Sequence, residues 1–122
     1  MKYETFPLTA AEKLHLLAVQ EFNPQVVNIG VCLTMKANLD FGLLKKCIQL
    51  EYERCDSLRI RFTPPDSSGE IRQYIVPFDS RDIRFVDFTG KSEEEIQKTM
   101  YAWTAVPFAR YDSPMNEFVM VS

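Results

Sequence analysis

The chain has 122 residues, 46% hydrophobic and 25% charged, which is the composition of one soluble globular domain of ordinary size and excludes a disordered polypeptide. Its net charge of -3, from 14 basic and 17 acidic side chains, argues against a nucleic-acid partner, which calls for a basic face. The longest apolar runs are a few residues, far below the ~20 that cross a bilayer, and no charged start followed by an apolar stretch suggests a leader or an anchor.

In chain order, Thr9 and Glu12 have capping-box spacing and open a helix to about Gln20, with Leu14, Leu17 and Ala18 on its apolar face; Phe22, Asn23 and Pro24 end it. Between Val27 and Lys36 apolar and polar residues alternate. Val27, Ile29, Val31, Leu33 and Met35 would share one face of a half-buried strand. Asp40 is the next N-cap, with Leu39 and Leu44 spaced as a hydrophobic staple and Leu44, Cys47 and Ile48 as the buried stripe of a helix to about Arg54. A strand follows, with Leu58, Ile60 and Phe62 inward and Arg59 and Arg61 outward. The turn-rich stretch 63–69 joins it to a strand at Ile71–Val76, as in a hairpin.

Ile83–Phe88 reads as another strand. Ser92 and Glu95 repeat the capping-box spacing ahead of a helix with Ile96, Met100 and Trp103 on one face. A proline-punctuated segment then leads to a last apolar strand, Phe118–Val121. This order implies an α+β domain, a mostly antiparallel sheet with helices on one face, spanning 1–122 as a single domain. The unprotected apolar strand at the terminus suggests a truncated fragment.

A complete active site is missing. The one histidine, His15, lies on a predicted helix among leucines, and no serine or cysteine nucleophile has a base at hand. Glu93, Glu94 and Glu95 suit the positive end of a helix dipole, Asp79, Asp82 and Asp87 suit turns, and the four glycines are too scattered for a phosphate loop. Cys32, Cys47 and Cys55 form no C-x-x-C pair, so they read as reduced, partly buried thiols of a cytoplasmic protein rather than as a metal site. Trp103, Tyr101 and Phe108, with Met100, Met115 and Met120, read as core packing.

Residues Arg54–Phe62, R-C-D-S-L-R-I-R-F, resemble the second core motif of nonribosomal peptide synthetase condensation domains, R-H-E-x-L-R-T-x-F. Arg54, Leu58, Arg59 and Phe62 match, Asp56 replaces glutamate, and Cys55 and Ile60 depart from histidine and threonine. Phe6–Leu14 resembles the first core motif, P-L-(S/T)-x-A-Q-x-R, through Pro7, Leu8, Thr9 and Ala11. Asn28-Ile29 followed by Leu39-Asp40, and Pro107-Phe108 followed by Pro114-Met115, are similar to further family passages in the same order.

The resemblance implies the N-terminal lobe of a chloramphenicol acetyltransferase-like fold, from a transferase that forms amide or ester bonds between acyl or aminoacyl groups. Those groups arrive on the phosphopantetheine arms of carrier proteins, so no cofactor is expected in this chain. The family's H-H-x-x-x-D-G motif does not occur in the sequence, and no catalytic, cofactor or metal residue is assigned. Arg54 and Arg59 match arginines that in the family brace the fold near that motif; exposed strand-edge charges are the alternative for one or both. Carrier domains and a C-terminal lobe are the implied partners, with self-association expected from apolar surface left uncovered. The alternative function is a small α+β binding or interaction domain without catalysis.

Overall fold

The computed structural model describes residues 2–21 and 28–122, and its elements run in the order β1 (Phe6–Pro7), α1 (Ala10–Glu21), α2 (Phe41–Arg54), β2 (Ile60–Phe62), β3 (Arg72–Ile75), β4 (Arg84–Val86), α3 (Glu93–Thr104) and β5 (Val119–Val121). They fall into two compact units. One contains Met1–Leu8, Asn38–Val86 and Phe108–Met120; the other contains Thr9–Ala37, Asp87–Pro107 and Val121–Ser122.

In the first unit, Asp40 caps α2 by accepting a hydrogen bond from Leu43 N at 2.9 Å. Below the cap, Leu44, Ile48 and Tyr52 follow one another at i, i+4 spacing and pack with Phe41 and Leu58 around Ile83 and Met120. Aromatic rings tighten this core edge to face: Phe41 against Phe85 at 4.8 Å, Tyr52 against Phe118 at 5.5 Å. The buried stripe differs from the sequence expectation at Cys47, which is exposed. Position 47 is only one residue from Ile48, a rotation of about 100° on a helix, whereas Tyr52 lies directly below it.

The hairpin forms as expected. β2 and β3 pair antiparallel with Ile60 opposite Ile75, Arg61 opposite Tyr74 and Phe62 opposite Gln73, and β1 joins the other edge of β3. Asp66 shapes the connecting loop. Its carboxylate accepts from Ser68 Oγ at 2.6 Å, Ser68 N at 2.8 Å and Glu70 N at 2.9 Å. Those bonds hold its pKa below the usual carboxylate range. Gly69 supplies the positive φ, 82°, that closes the turn. β4 and β5 form a second, two-stranded sheet.

The second unit holds α1 and α3, both started by capping boxes. Thr9 N and Oγ1 donate to Glu12 Oε2 at 2.6 and 2.8 Å, and Glu12 N donates to Thr9 Oγ1 at 3.2 Å. In α3, Ser92 N donates to Glu95 Oε2 at 2.9 Å and Glu95 N to Ser92 Oγ at 3.2 Å. Ile96, Met100 and Trp103 are the half-buried face of α3, and Trp103 stacks on Phe88 at 5.9 Å. Tyr101 is exposed, and no ring contact of its side chain occurs among the described residues. On α1, Leu16 is buried while Leu14 and Leu17 are exposed. The apolar face expected from Leu14, Leu17 and Ala18 is therefore not the buried one: packing selects Leu16, and of the expected set only Ala18 is half-buried.

The expected strand at 27–36 is the main departure. Val27, with the helix-ending Phe22, Asn23 and Pro24, lies outside the described residues. From Asn28 to Lys36 there is no strand, and Ile29, Val31, Leu33 and Met35 are exposed. Alternating β-formers describe a segment fit for a pleated, half-buried surface. A strand also needs a neighbour to take its backbone hydrogen bonds, and among the described residues no backbone–backbone hydrogen bond joins 29–36 to another segment.

Candidate functional site

The junction between α2 and β2 is built by a 3-10 turn at Asp56–Arg59, not by a strand beginning at Leu58. α2 ends with Cys55 N donating to Glu51 O at 2.8 Å, and Leu58 N then donates to Cys55 O at 3.0 Å. This tight turn swings Arg59 back under the helix it has just left. Its Nη1 donates to Tyr52 O and Glu53 O, both at 2.8 Å, and its Nε donates to Val76 O at 3.0 Å. Its Nη2 meets Asp56 Oδ1 at 2.6 Å. The side chain is 13% exposed. One guanidinium therefore satisfies carbonyls at the C-terminal end of α2, where the helix dipole favours a cation, and ties them to the residue following β3.

Arg54 is placed differently. It is exposed in the last turn of α2, and no hydrogen bond or ion pair of its guanidinium occurs among the described residues. The structure does not bring the two motif arginines together. Neither Arg59 nor Arg61 points outward as strand alternation suggested; both are half-buried, because the turn rotates Arg59 inward and Arg61 lies opposite Tyr74 in the hairpin. Burial, and then the charge of Arg81, lowers the pKa of Arg61.

A second polar network lies behind this junction. Tyr52, 1% exposed, donates its hydroxyl to Asn116 Oδ1 at 2.9 Å. Arg81 donates Nη1 to the same oxygen and Nη2 to Asn116 O, each at 2.8 Å, and its guanidinium carbon lies 4.5 Å from the Tyr52 ring centroid. Asn116 Nδ2 donates to Leu58 O at 3.1 Å. The Gln49 side chain closes the set by accepting from Arg81 N at 3.0 Å and donating to Arg81 O. Burial pushes the Tyr52 hydroxyl upward in pKa, against the opposing charge of Arg81. Sequence reasoning missed Arg81 and Asn116, whose partners are distant in sequence. Tyr52 had a signal, since it extends the Leu44–Ile48 spacing by one more turn.

A third contact fixes the hairpin. Tyr74 donates to Asp112 Oδ1 at 2.6 Å, and Asp112 N donates to Phe62 O at 2.8 Å. Asp112 holds a positive φ of 51°, a conformation that costs roughly 1–2 kcal/mol for a residue with a Cβ. Burial, reinforced by the Asp112 carboxylate, pushes the Tyr74 pKa up to about 12.

His15 is exposed on α1, and among the described residues no group of three or more His, Cys, Asp or Glu side chains could hold a metal ion. Glu93, Glu94 and Glu95 occupy the first turn of α3. Asp82 pairs with Lys45 at 3.6 Å, and Asp87 accepts from Thr89 Oγ1 at 2.6 Å. Of the cysteines, Cys32 and Cys47 are exposed rather than partly buried, and Cys55 Sγ lies 3.3 Å from Glu51 Oε2, which raises the thiol pKa.

This architecture recurs in solved structures. The first condensation domain of the calcium-dependent antibiotic synthetase, in complex with a substrate analogue, superposes over 91% of this chain with a TM-score of 0.75 and 26% identity. The fold is that of the N-terminal part of a condensation domain of nonribosomal peptide synthetases. A variant of the starter condensation domain of rhizomide synthetase matches over 98% of the chain, with a TM-score of 0.75 and 19% identity. The chain spans only 27% and 29% of those two condensation domains' chains. No protein-family model and no curated protein matches the sequence. In this chain Arg54–Phe62, whose sequence resembles the second core motif, spans the α2–β2 junction. No described helix is long and apolar enough to cross a membrane.

Proposed function

We propose that this chain is the N-terminal portion of a condensation-type acyltransferase acting in nonribosomal peptide synthesis. Its whole would join acyl or aminoacyl groups delivered on the phosphopantetheine arms of carrier-protein domains, in the cytoplasm. The observation that carries this reading is the superposition on a condensation domain along 91% of the chain at 26% identity, with the core-motif resemblance at the α2–β2 junction. Arg59 would act there as a positioning residue: it clamps the end of α2 to the end of β3, a rigid frame on which a catalytic histidine motif contributed by the rest of the fold would be seated. The described network holds one carboxylate, Asp56, which is engaged by the Arg59 guanidinium at 2.6 Å.

By itself the chain is inert in this reading, because H-H-x-x-x-D-G is absent from its sequence. Its partners would be carrier domains and the remaining part of the condensation fold; alone, it would associate with itself. The test has two arms. Purified chain mixed with carrier-bound donor and acceptor thioesters is expected to release no condensed product, and turnover would overturn the assignment of inertness. Reading the coding DNA past the codon for Ser122 is expected to reach H-H-x-x-x-D-G; an immediate stop, with no such motif encoded beside it, would overturn the transferase reading.

A further inference from the structure

We infer that Asn116 is a positioning residue, coupled through Tyr52 to the Arg59 clamp and fixing the chain as it enters β5. The inference rests on the transferase reading above, in which H-H-x-x-x-D-G is encoded beyond Ser122. Tyr52 belongs to both polar networks. Its carbonyl accepts from Arg59 Nη1 at 2.8 Å, and its buried hydroxyl donates to Asn116 Oδ1 at 2.9 Å. Leu58, beside Arg59 in the 3-10 turn, adds a direct link: its carbonyl accepts from Asn116 Nδ2 at 3.1 Å. Arg81 closes the set from the chain ahead of β4, donating to Asn116 Oδ1 and to its main-chain O, each at 2.8 Å. One half-buried asparagine thus collects bonds from α2, from the turn and from residue 81, all within the same compact unit.

The chemistry of position 116 calls for an amide. Oδ1 must accept from two donors while Nδ2 gives a proton to a carbonyl. A carboxylate could serve Tyr52 and Arg81 but would set an oxygen against Leu58 O, and an apolar side chain would leave the buried tyrosine hydroxyl unpaired. An asparagine with donor and acceptor both committed has one orientation, and the backbone that carries it is fixed as well. β5 starts shortly after it, at Val119, and the chain between is held from the same side. Phe118 meets the Tyr52 ring edge to face at 5.5 Å, and Met120 packs with Tyr52 and Ile83. Tyr52 therefore grips this segment twice, by its hydroxyl at 116 and by its ring at 118. A reacting group carried on the residues that follow needs such support, because misplacement by about 1 Å costs on the order of a hundredfold in rate.

The experiment uses the product of the whole reading frame, with donor and acceptor thioesters on their carrier domains as substrates. Asn116→Asp keeps an acceptor for Tyr52 and Arg81 and removes the donor to Leu58 O. Tyr52→Phe removes the hydroxyl and leaves the carbonyl that receives Arg59. Each should lower kcat about 10–100-fold with KM for both carrier-bound substrates unchanged. Combined with Arg59→Lys, either should cost less than the product of the two separate losses, the mark of residues acting as one unit. Should Asn116→Asp not fold by circular dichroism, Tyr52→Phe, whose ring still packs on Phe118, decides alone. Unchanged kcat, a rise in KM alone, or losses that multiply in the double variant overturn the inference and leave the transferase reading standing. A wild-type product that forms no amide or ester overturns that reading, and the role of Asn116 with it.

Discussion

Two arginines five positions apart in one motif, Arg54 and Arg59, have opposite structural weight. Arg59 donates to three backbone carbonyls and to Asp56, so Arg59→Ala leaves acceptors at the end of α2 unpaired and should lower unfolding free energy by about 2–4 kcal/mol in urea titrations. Arg54→Ala, at an exposed position, should stay within about 0.5 kcal/mol. Equal losses from both would contradict the brace. Tyr74 makes a pH prediction. Its phenol holds a proton more tightly when folded, with a pKa of about 12 against 10.0 for the free group. The stability it contributes is complete below pH 10 and is lost as pH rises through 12. Denaturation midpoints should fall across that window, and Tyr74→Phe should flatten the fall.

At the scale of elements, short-range rules carried most of the structure. Both capping boxes formed as their spacing required, and Ser92→Ala should cost about 1 kcal/mol, read as a lowered thermal midpoint. The hairpin followed from turn residues flanked by β-formers. The packed stripe of α2 was only half legible, because adjacent apolar positions such as Cys47 and Ile48 compete and the choice depends on what lies opposite. Here it is Ile83 and Met120, residues far along the chain. Met120→Ala in that cluster should destabilise by about 2–5 kcal/mol, more than any cap. Strand alternation failed at both places where it lacked a partner or met a turn: along 28–36, and at Arg59, which the 3-10 turn carries inward.

For the molecule as a whole, the described residues supply a frame: a three-stranded sheet, a core under α2 and two polar networks. The condensation domains this chain superposes on are more than three times its length, and among the described residues Ile29, Val31, Leu33 and Met35 form an exposed apolar run. Lysine substitutions at Val31 and Leu33 should accordingly raise solubility without lowering stability, measured as soluble yield and melting temperature.

The sequence by itself determined the helix starts, the hairpin and the family likeness, because caps, turns and a nine-residue motif act over a few neighbouring positions. Only the tertiary structure decided which arginine is hydrogen-bonded at the junction, that Tyr52, Arg81 and Asn116 share one network, and that an alternating segment is not a strand. Each of those outcomes depends on a partner remote in the chain, and neither periodicity nor composition records which distant group will be there to accept or withhold a hydrogen bond.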